Sequence, residues 1–213
     1  MNGRLDRLCV FCGSSSGASP RYAEAARSLA AEMVKRNVKL VYGGGNVGLM
    51  GAVAHAVHDG LGEGSVLGVI PEHLLPREVS GETVGEIRVT KDMHSRKATM
   101  ATAAQGFVAL PGGFGTLEEL MEVVTWHHLG YHAKPIGLLN VEGFFDHLLS
   151  LFDHMTKEGF LRKASRDIVL VADDPAEVGR GGEQASAWQA SAPQQLPLTA
   201  APVLAAAGQD GAL

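Results

Sequence analysis

The chain has 213 residues, 46% of them hydrophobic and 19% charged, with a formal net charge of −5. That length and composition suit one folded domain with a well-buried core, not a disordered chain. The acidic balance and the lack of any basic run exclude nucleic acid and anionic membrane surfaces as main partners.

The first residues, Met1-Asn2-Gly3-Arg4-Leu5-Asp6, are too polar for a signal peptide, and no later segment is apolar for long enough to cross a bilayer. The expected location is cytoplasmic, with nuclear presence left open. Short apolar runs then alternate with helical stretches. The runs predict strands at 8–11, 38–41, 66–70, 87–89, 107–110, 136–139 and 168–171; they are continuous, as in parallel strands covered on both faces. Helices are predicted near 20–36, 47–58, 92–104, 116–129 and 143–158. Ser19-Pro20 reads as a cap followed by proline at the first helical position, and Gly159 as a helix stop. The alternation predicts a single α/β domain over 1–178. Its core is a doubly wound, Rossmann-like, mostly parallel sheet of about seven strands with helices on both faces. From Gly179 the composition turns to Ala, Gln, Ser and Pro, so 179–213 reads as a disordered tail.

In such sheets ligands bind beyond the carboxyl ends of the strands. Three turns there are rich in glycine or serine: after Phe11, after Tyr42 and after Leu110. Cys9 and Cys12 form a C-x-x-C in the first, but Cys9 lies within a strand. Alternation then sends the two thiols to opposite faces, which predicts buried, reduced cysteines and neither a redox pair nor a zinc site. The second turn, with Gly43, Gly45 and Gly48, spells G-x-G-x-x-G. A dinucleotide site would need an acid closing the next strand, and Glu72 comes late, after Pro71. A second glycine turn approaching the same nucleotide as the third is the expectation.

The third turn carries the strongest signal. The apolar run ending at Leu110 enters Pro111-Gly112-Gly113-Phe114-Gly115-Thr116, and a helix is expected to start at Thr116. Glycines let a ligand touch the backbone, and a helix start offers unpaired N–H groups at the positive end of its dipole. Together they make a phosphate cradle. No lysine follows the glycines, which argues against a triphosphate site. Thr116 and Glu119 also have the spacing of a capping box, which would explain the glutamate without catalysis. His94-Ser95-Arg96-Lys97 reads either as a solvated basic face or as an anion site, since the guanidinium fork suits carboxylate or phosphate. The nine histidines show no metal-binding pattern, so no metal and no cofactor are expected.

With these residues in view, the sequence resembles the Lonely Guy family of cytokinin-activating phosphoribohydrolases. The resemblance rests on Pro111-Gly112-Gly113-Phe114-Gly115-Thr116-Leu117-Glu118-Glu119, matching P-G-G-x-G-T-x-x-E. Ser95-Arg96-Lys97-Ala98, Tyr42-Gly43-Gly44-Gly45, Gly48-Leu49-Met50-Gly51, Cys12-Gly13-Ser14-Ser15 and Pro76-Arg77-Glu78 reinforce it, as do Thr125-Trp126 and the run from Lys134 to Asn140. It covers about residues 5–178; the break at Gly179–Gly182 and the tail are foreign to it. The resemblance implies hydrolysis of the N-glycosidic bond of N6-modified AMP to free base and ribose 5-phosphate. It assigns catalysis to Arg96 and Glu119. It places nucleotide contacts at Glu78, Lys97, Gly112, Gly113, Phe114, Gly115, Thr116 and Thr125, with Gly13, Ser14, Gly44, Gly45 and Met50 around them. It also implies a homodimer or larger assembly. Glu78 lies in an expected loop, where holding ribose hydroxyls and simple solvation are both open. Three alternatives remain: an AMP nucleosidase acting on unmodified AMP, a non-catalytic nucleotide or molybdenum-cofactor carrier, and a dinucleotide oxidoreductase resting on the second turn.

Overall fold

The computed structural model describes residues 5–78 and 82–175, with only the backbone of residues 77 and 78. Seven strands form one sheet: β1 (Arg7–Phe11), β2 (Lys39–Tyr42), β3 (Val66–Pro71), β4 (Glu86–Thr90), β5 (Gly106–Ala109), β6 (Ile136–Leu139) and β7 (Val169–Ala172). Their order is β4-β3-β2-β1-β5-β6-β7, and every neighbouring pair is parallel. The chain winds outward from β1 to β4, then returns to the far side of β1 and winds outward again to β7. This is the predicted doubly wound α/β sheet, and its winding reverses between β1 and β5.

The helices are α1 (Pro20–Lys35), α2 (Gly48–Leu61), α3 (Leu75–Glu78), α4 (Met93–Ala103), α5 (Phe114–His128), α6 (Asp146–Lys157) and α7 (Lys163–Arg166). Ser19 caps α1, its side chain accepting from the Arg21 N–H, with Pro20 at the first helical position. Asp92 caps α4 by accepting from the Ser95 N–H at 2.7 Å. Gly159 follows α6 with φ +81°. The short helix α3 was not foreseen: Pro76-Arg77-Glu78, expected as loop, continues a 3-10 turn over Glu72–Leu74. Four residues are too few for an apolar period to show. The segment 179–213 lies outside the described residues.

Two apolar layers sandwich the sheet. Leu8, Val10, Cys12, Leu40 and Tyr42 face α1 and α2 through Leu29, Met33, Leu49 and Val53. Cys9, Phe11, Phe107, Ala109 and Ile136 face α4, α5 and α6 through Met100, Leu120, Val123 and Phe152. Each large side chain so buried contributes about 1.5–3 kcal/mol. Cys9 and Cys12 fall in opposite layers as expected, both free, and burial pushes both thiols well up in pKa, away from reactive thiolate. The outer strands depart from the continuous-burial expectation. β4 has no fully buried residue, and Val89 is exposed, because an edge strand has one neighbour and little cover.

Candidate active site at the winding reversal

The adjacency of β2, β1 and β5 brings the three marked turns side by side at the carboxyl end of the sheet. They are interlocked through backbone. The Gly13 N–H donates to the Pro111 carbonyl at 3.0 Å, and the Leu49 and Met50 N–H groups donate to the Gly13 carbonyl at 3.1 and 3.3 Å. Gly48 has φ +60°, and a Cβ there would lie 2.4 Å from the Ser14 carbonyl carbon. A Cβ on Gly112 would meet the Thr116 Oγ1 at 2.1 Å and the Gly13 nitrogen at 2.8 Å. These glycines are therefore required by close backbone approach.

The third turn is different at its front. Helix α5 starts at Phe114 with Gly113 as its N-cap, two residues earlier than expected, and no side chain caps it. The first intrahelical bond runs from the Leu117 N–H to the Gly113 carbonyl at 3.1 Å. The N–H groups of Phe114, Gly115 and Thr116 thus precede the helical ladder and point out of the helix mouth. A Cβ at Gly113 or Gly115 would meet nothing within 4 Å, so there is open space beside both glycines of the helix mouth. The Phe114 ring stands 94% exposed beside them. Thr116 is buried at the third helical position, so it does not act as N-cap; the capping-box reading of Thr116 and Glu119 is corrected. The two extra turn residues that wind into the helix are glycine and phenylalanine, neither of which announces a helix start in sequence.

Glu119 follows one turn later on the buried side of α5. Its Oε1 lies 3.6 Å from Arg96 Nη2 of α4, and the two side chains are only 10% and 6% exposed. Arg96 Nη2 also donates to the Gly43 carbonyl at 3.2 Å, and Nη1 lies 3.8 Å from Met93 Sδ. A Cβ on Gly43 would lie 2.2 Å from Arg96 Nη2, so the second turn supplies the space through which the guanidinium reaches α5. Met50 is a core residue whose Sδ lines the same space; Gly44 packs on Ile70, and Gly45 is buried. Ser14 is exposed at the lip of the crevice. Burying two charges is tolerated because they pair and a backbone carbonyl fills out the guanidinium's partners.

Lys97 turns elsewhere. Its ammonium bonds Glu118 Oε1 and lies 3.0 Å from Glu122 Oε2, with 9% of the side chain exposed. Burial by itself would lower its pKa, but the hydrogen bonds it donates to the Glu118 and Glu122 carboxylates, with their charge, outweigh this and raise it. Glu122 was not singled out from sequence; the available signal was its i,i+4 spacing from Glu118, which puts both acids on one helix face. Thr125 is not gathered with the others. It is exposed on α5, bonded to the Met121 carbonyl at 2.7 Å, about 13 Å along the axis from Thr116. The backbone of Glu78 closes α3; its side chain lies outside what is described.

A second depression, a polar cleft of about 560 Å³, lies between α1 and the loop after β6. An Arg21–Glu142 ion pair at 3.3 Å sits in it, and the helix start beside it is already capped by Ser19. Among the described residues, no group of three or more His, Cys, Asp or Glu is placed to hold a metal, and no helix is long and apolar enough to cross a membrane.

The chain matches a family model described as "Possible lysine decarboxylase" over residues 50–181. It is 55% identical over 181 residues to the cytokinin riboside 5'-monophosphate phosphoribohydrolase LOG7 of Arabidopsis thaliana, covering 85% of this chain and 82% of that protein. It is 54% identical over 175 residues to the rice enzyme LOG (Oryza sativa subsp. japonica), covering 82% and 72%. Among solved structures, the Moco carrier protein of Chlamydomonas reinhardtii aligns with TM-score 0.62 at 21% identity, over 86% of this chain and 99% of that one. The molybdenum cofactor binding protein of Rippkaea orientalis aligns with TM-score 0.61 at 21% identity, over 85% and 97%. These two likenesses carry the fold alone. The glycine turns, the buried Arg96–Glu119 couple and more than half the residues shared with two plant enzymes lead to one conclusion: this chain belongs to the Lonely Guy (LOG) family.

Proposed function

We propose that the protein is an N-glycosyl hydrolase that splits cytokinin riboside 5'-monophosphates, N6-modified AMP, into free base and ribose 5-phosphate. The observation that carries this reading is a buried carboxylate–guanidinium couple one turn inside an uncapped, glycine-fronted helix mouth. The mouth suits a phosphate monoester, because backbone amides and the helix dipole need no lysine to hold an anion. The sugar would then lie toward Glu119. Cleaving the C1'–N9 bond builds positive charge on the ribose, as in other glycoside cleavage. Glu119 stabilises that charge and directs a water to C1'; the water oxygen bonds C1' and gives one proton to the Glu119 carboxylate, while the C1'–N9 bond electrons leave with the base, which takes up a proton from solvent. Arg96 fixes the orientation of Glu119. Glu118 cannot exchange roles with it, because it lies about 100° round the helix and faces Lys97.

Residues 1–178 form the catalytic unit in this reading. Gly13, Ser14, Gly44, Gly45 and Met50 shape the crevice, and Glu78 contributes to ribose binding. The protein acts in the cytoplasm as a homodimer or larger homo-oligomer; Thr125, remote from the mouth of its own chain, would meet nucleotide only across a subunit contact. The decarboxylase description of the family model finds little support in the lysines. A Schiff-base lysine needs a depressed pKa. The pKa of Lys97, the lysine beside the crevice, is raised. Lys134, whose pKa burial lowers, precedes β6 at the opposite end of the sheet.

The test is a product assay with isopentenyladenosine monophosphate, AMP and the Glu119→Ala variant. The expected result is free isopentenyladenine from the wild type, less base from AMP, and loss of about 1,000-fold in kcat in the variant. Nucleotide binding by the variant should survive. Arg96→Ala should lose comparable activity and some affinity. Near-wild-type activity of Glu119→Ala would reduce that residue to a packing role. Binding without turnover by the wild type would favour a carrier, and a preference for AMP would favour an AMP nucleosidase.

A further inference from the structure

Two neighbouring residues of α4 send their cations onto α5 in different directions. Arg96 meets Glu119, and Lys97 meets Glu118 and Glu122. The buried residues of α4 are Arg96, Lys97 and Met100, so two of the three are charged. Apolar packing alone gives a helix with one large buried side chain little registry against its neighbour. Charge pairs have direction and reach, and buried ones are known to fix registry between elements. Of the two acids on Lys97, Glu122 is the better enclosed, with 22% of its side chain exposed against 51% for Glu118. The ion pair through Glu122 is therefore the less screened by water.

We propose that Glu122, seconded by Glu118, is a positioning residue: it clamps the Lys97 ammonium, locks α4 in register on α5, and so sets the Arg96 guanidinium against Glu119. The inference deepens the reading of the site as a phosphoribohydrolase and rests on it for its kinetic readout. Lys97 in this scheme acts through the helix that carries Arg96. An ammonium held between two carboxylates has its charge already matched, and a phosphate has the open amides of α5 instead.

The experiment compares wild type with Glu122→Gln, Glu122→Asp, Glu118→Gln and Lys97→Met. Initial rates on isopentenyladenosine monophosphate are measured in each, beside the Arg96 Nε–Hε resonance in arginine-labelled protein. For Glu122→Gln the clamp predicts a fall of about tenfold in kcat with KM within about twofold, and a shifted Arg96 resonance. Glu122→Asp, which keeps the charge, should recover part of the rate. Glu118→Gln should lose only about twofold to threefold. Lys97→Met should match Glu122→Gln in kcat without a large rise in KM. Wild-type kcat and an unmoved Arg96 resonance in Glu122→Gln would overturn the proposal. So would a tenfold rise in KM confined to Lys97→Met, which would make Lys97 a nucleotide ligand. If Glu122→Gln fails to fold, Glu122→Asp carries the same two readouts. If the wild type releases no base, the hydrolase reading fails, while the Arg96 resonance still decides the clamp.

Discussion

The two glycine-rich strand-to-helix turns of this protein look interchangeable in sequence and do opposite things in the fold. After β2, the turn leads into α2, whose Leu49 and Met50 amides are spent on the Gly13 carbonyl. After β5, the turn leads into α5, which has no side-chain cap and open space before Gly113 and Gly115. The first turn is a joint between backbones and a passage for Arg96. The second is a binding mouth. Glycine spacing therefore does not identify an anion site; what decides is whether another part of the chain already accepts the helix's first amides. This also removes the physical basis of the dinucleotide reading, because the helix mouth that a pyrophosphate would need at Gly43–Gly48 is occupied by Gly13.

Alanine substitutions in the two turns should have opposite consequences. Gly48→Ala forces an L-residue into φ +60° and drives its Cβ to 2.4 Å from Ser14 backbone. We expect a loss of about 3 kcal/mol or more in urea unfolding, with activity lost alongside stability. Gly115→Ala has no clash and lies in a helix. It should raise stability by about 0.5 kcal/mol, because alanine is the better helix former, yet raise KM about tenfold, equivalent to about 1.4 kcal/mol, as its methyl enters the phosphate space. A variant stabler than wild type but weaker in binding would be hard to explain unless the open amides hold the ligand. Unchanged KM in Gly115→Ala would remove the mouth from the site.

Between these two in expected size is an effect at the other end of α5. The His132 ring lies 5.3 Å from Phe107 and 5.6 Å from His127, centroid to centroid. Burial, then the charges of His127 and Lys134, lower its pKa from 6.5 to about 4. The unfolded chain takes up a proton below pH 6.5 that the folded chain refuses until about pH 4. The contribution is thus complete above pH 6.5 and drains away as pH falls toward 4. About 2 kcal/mol is at stake, allowing for solvent near a partly buried ring. Unfolding measured across this range should show a shallower acid decline in His132→Phe than in wild type; parallel curves would count against the assignment. The smallest expected effect is that of deleting 179–213, with kcat/KM within about twofold of the full chain. A larger loss would give the tail a part in the site.

Much of the site was legible because its chemistry is local. Pro111 to Thr116 announces a phosphate turn through glycine content, and the P-G-G-x-G-T-x-x-E match singles out Glu119 from Glu118. The start of α5 was misplaced because Gly113 and Phe114 carry no capping signal. Nothing near Lys97 in the chain points to Glu118 and Glu122, because both acids belong to another helix. Glu122 is marked in sequence only by its i,i+4 spacing from Glu118, which gives the two acids a shared helix face but does not name the lysine that meets them.

Strands, the larger helices and the chemistry of the turns are encoded locally, since apolar period, caps and glycine act within a few residues of one another. Tertiary structure alone decided which turns meet and what each is for. The reversal of winding seats β2, β1 and β5 together, and only then does Gly13 close one helix mouth, Gly43 admit Arg96 to Glu119, and Lys97 find its two carboxylates. Those pairings join residues 21 to 53 positions apart in the chain, where hydrogen bonding and charge obey distance in space, and no local pattern records it.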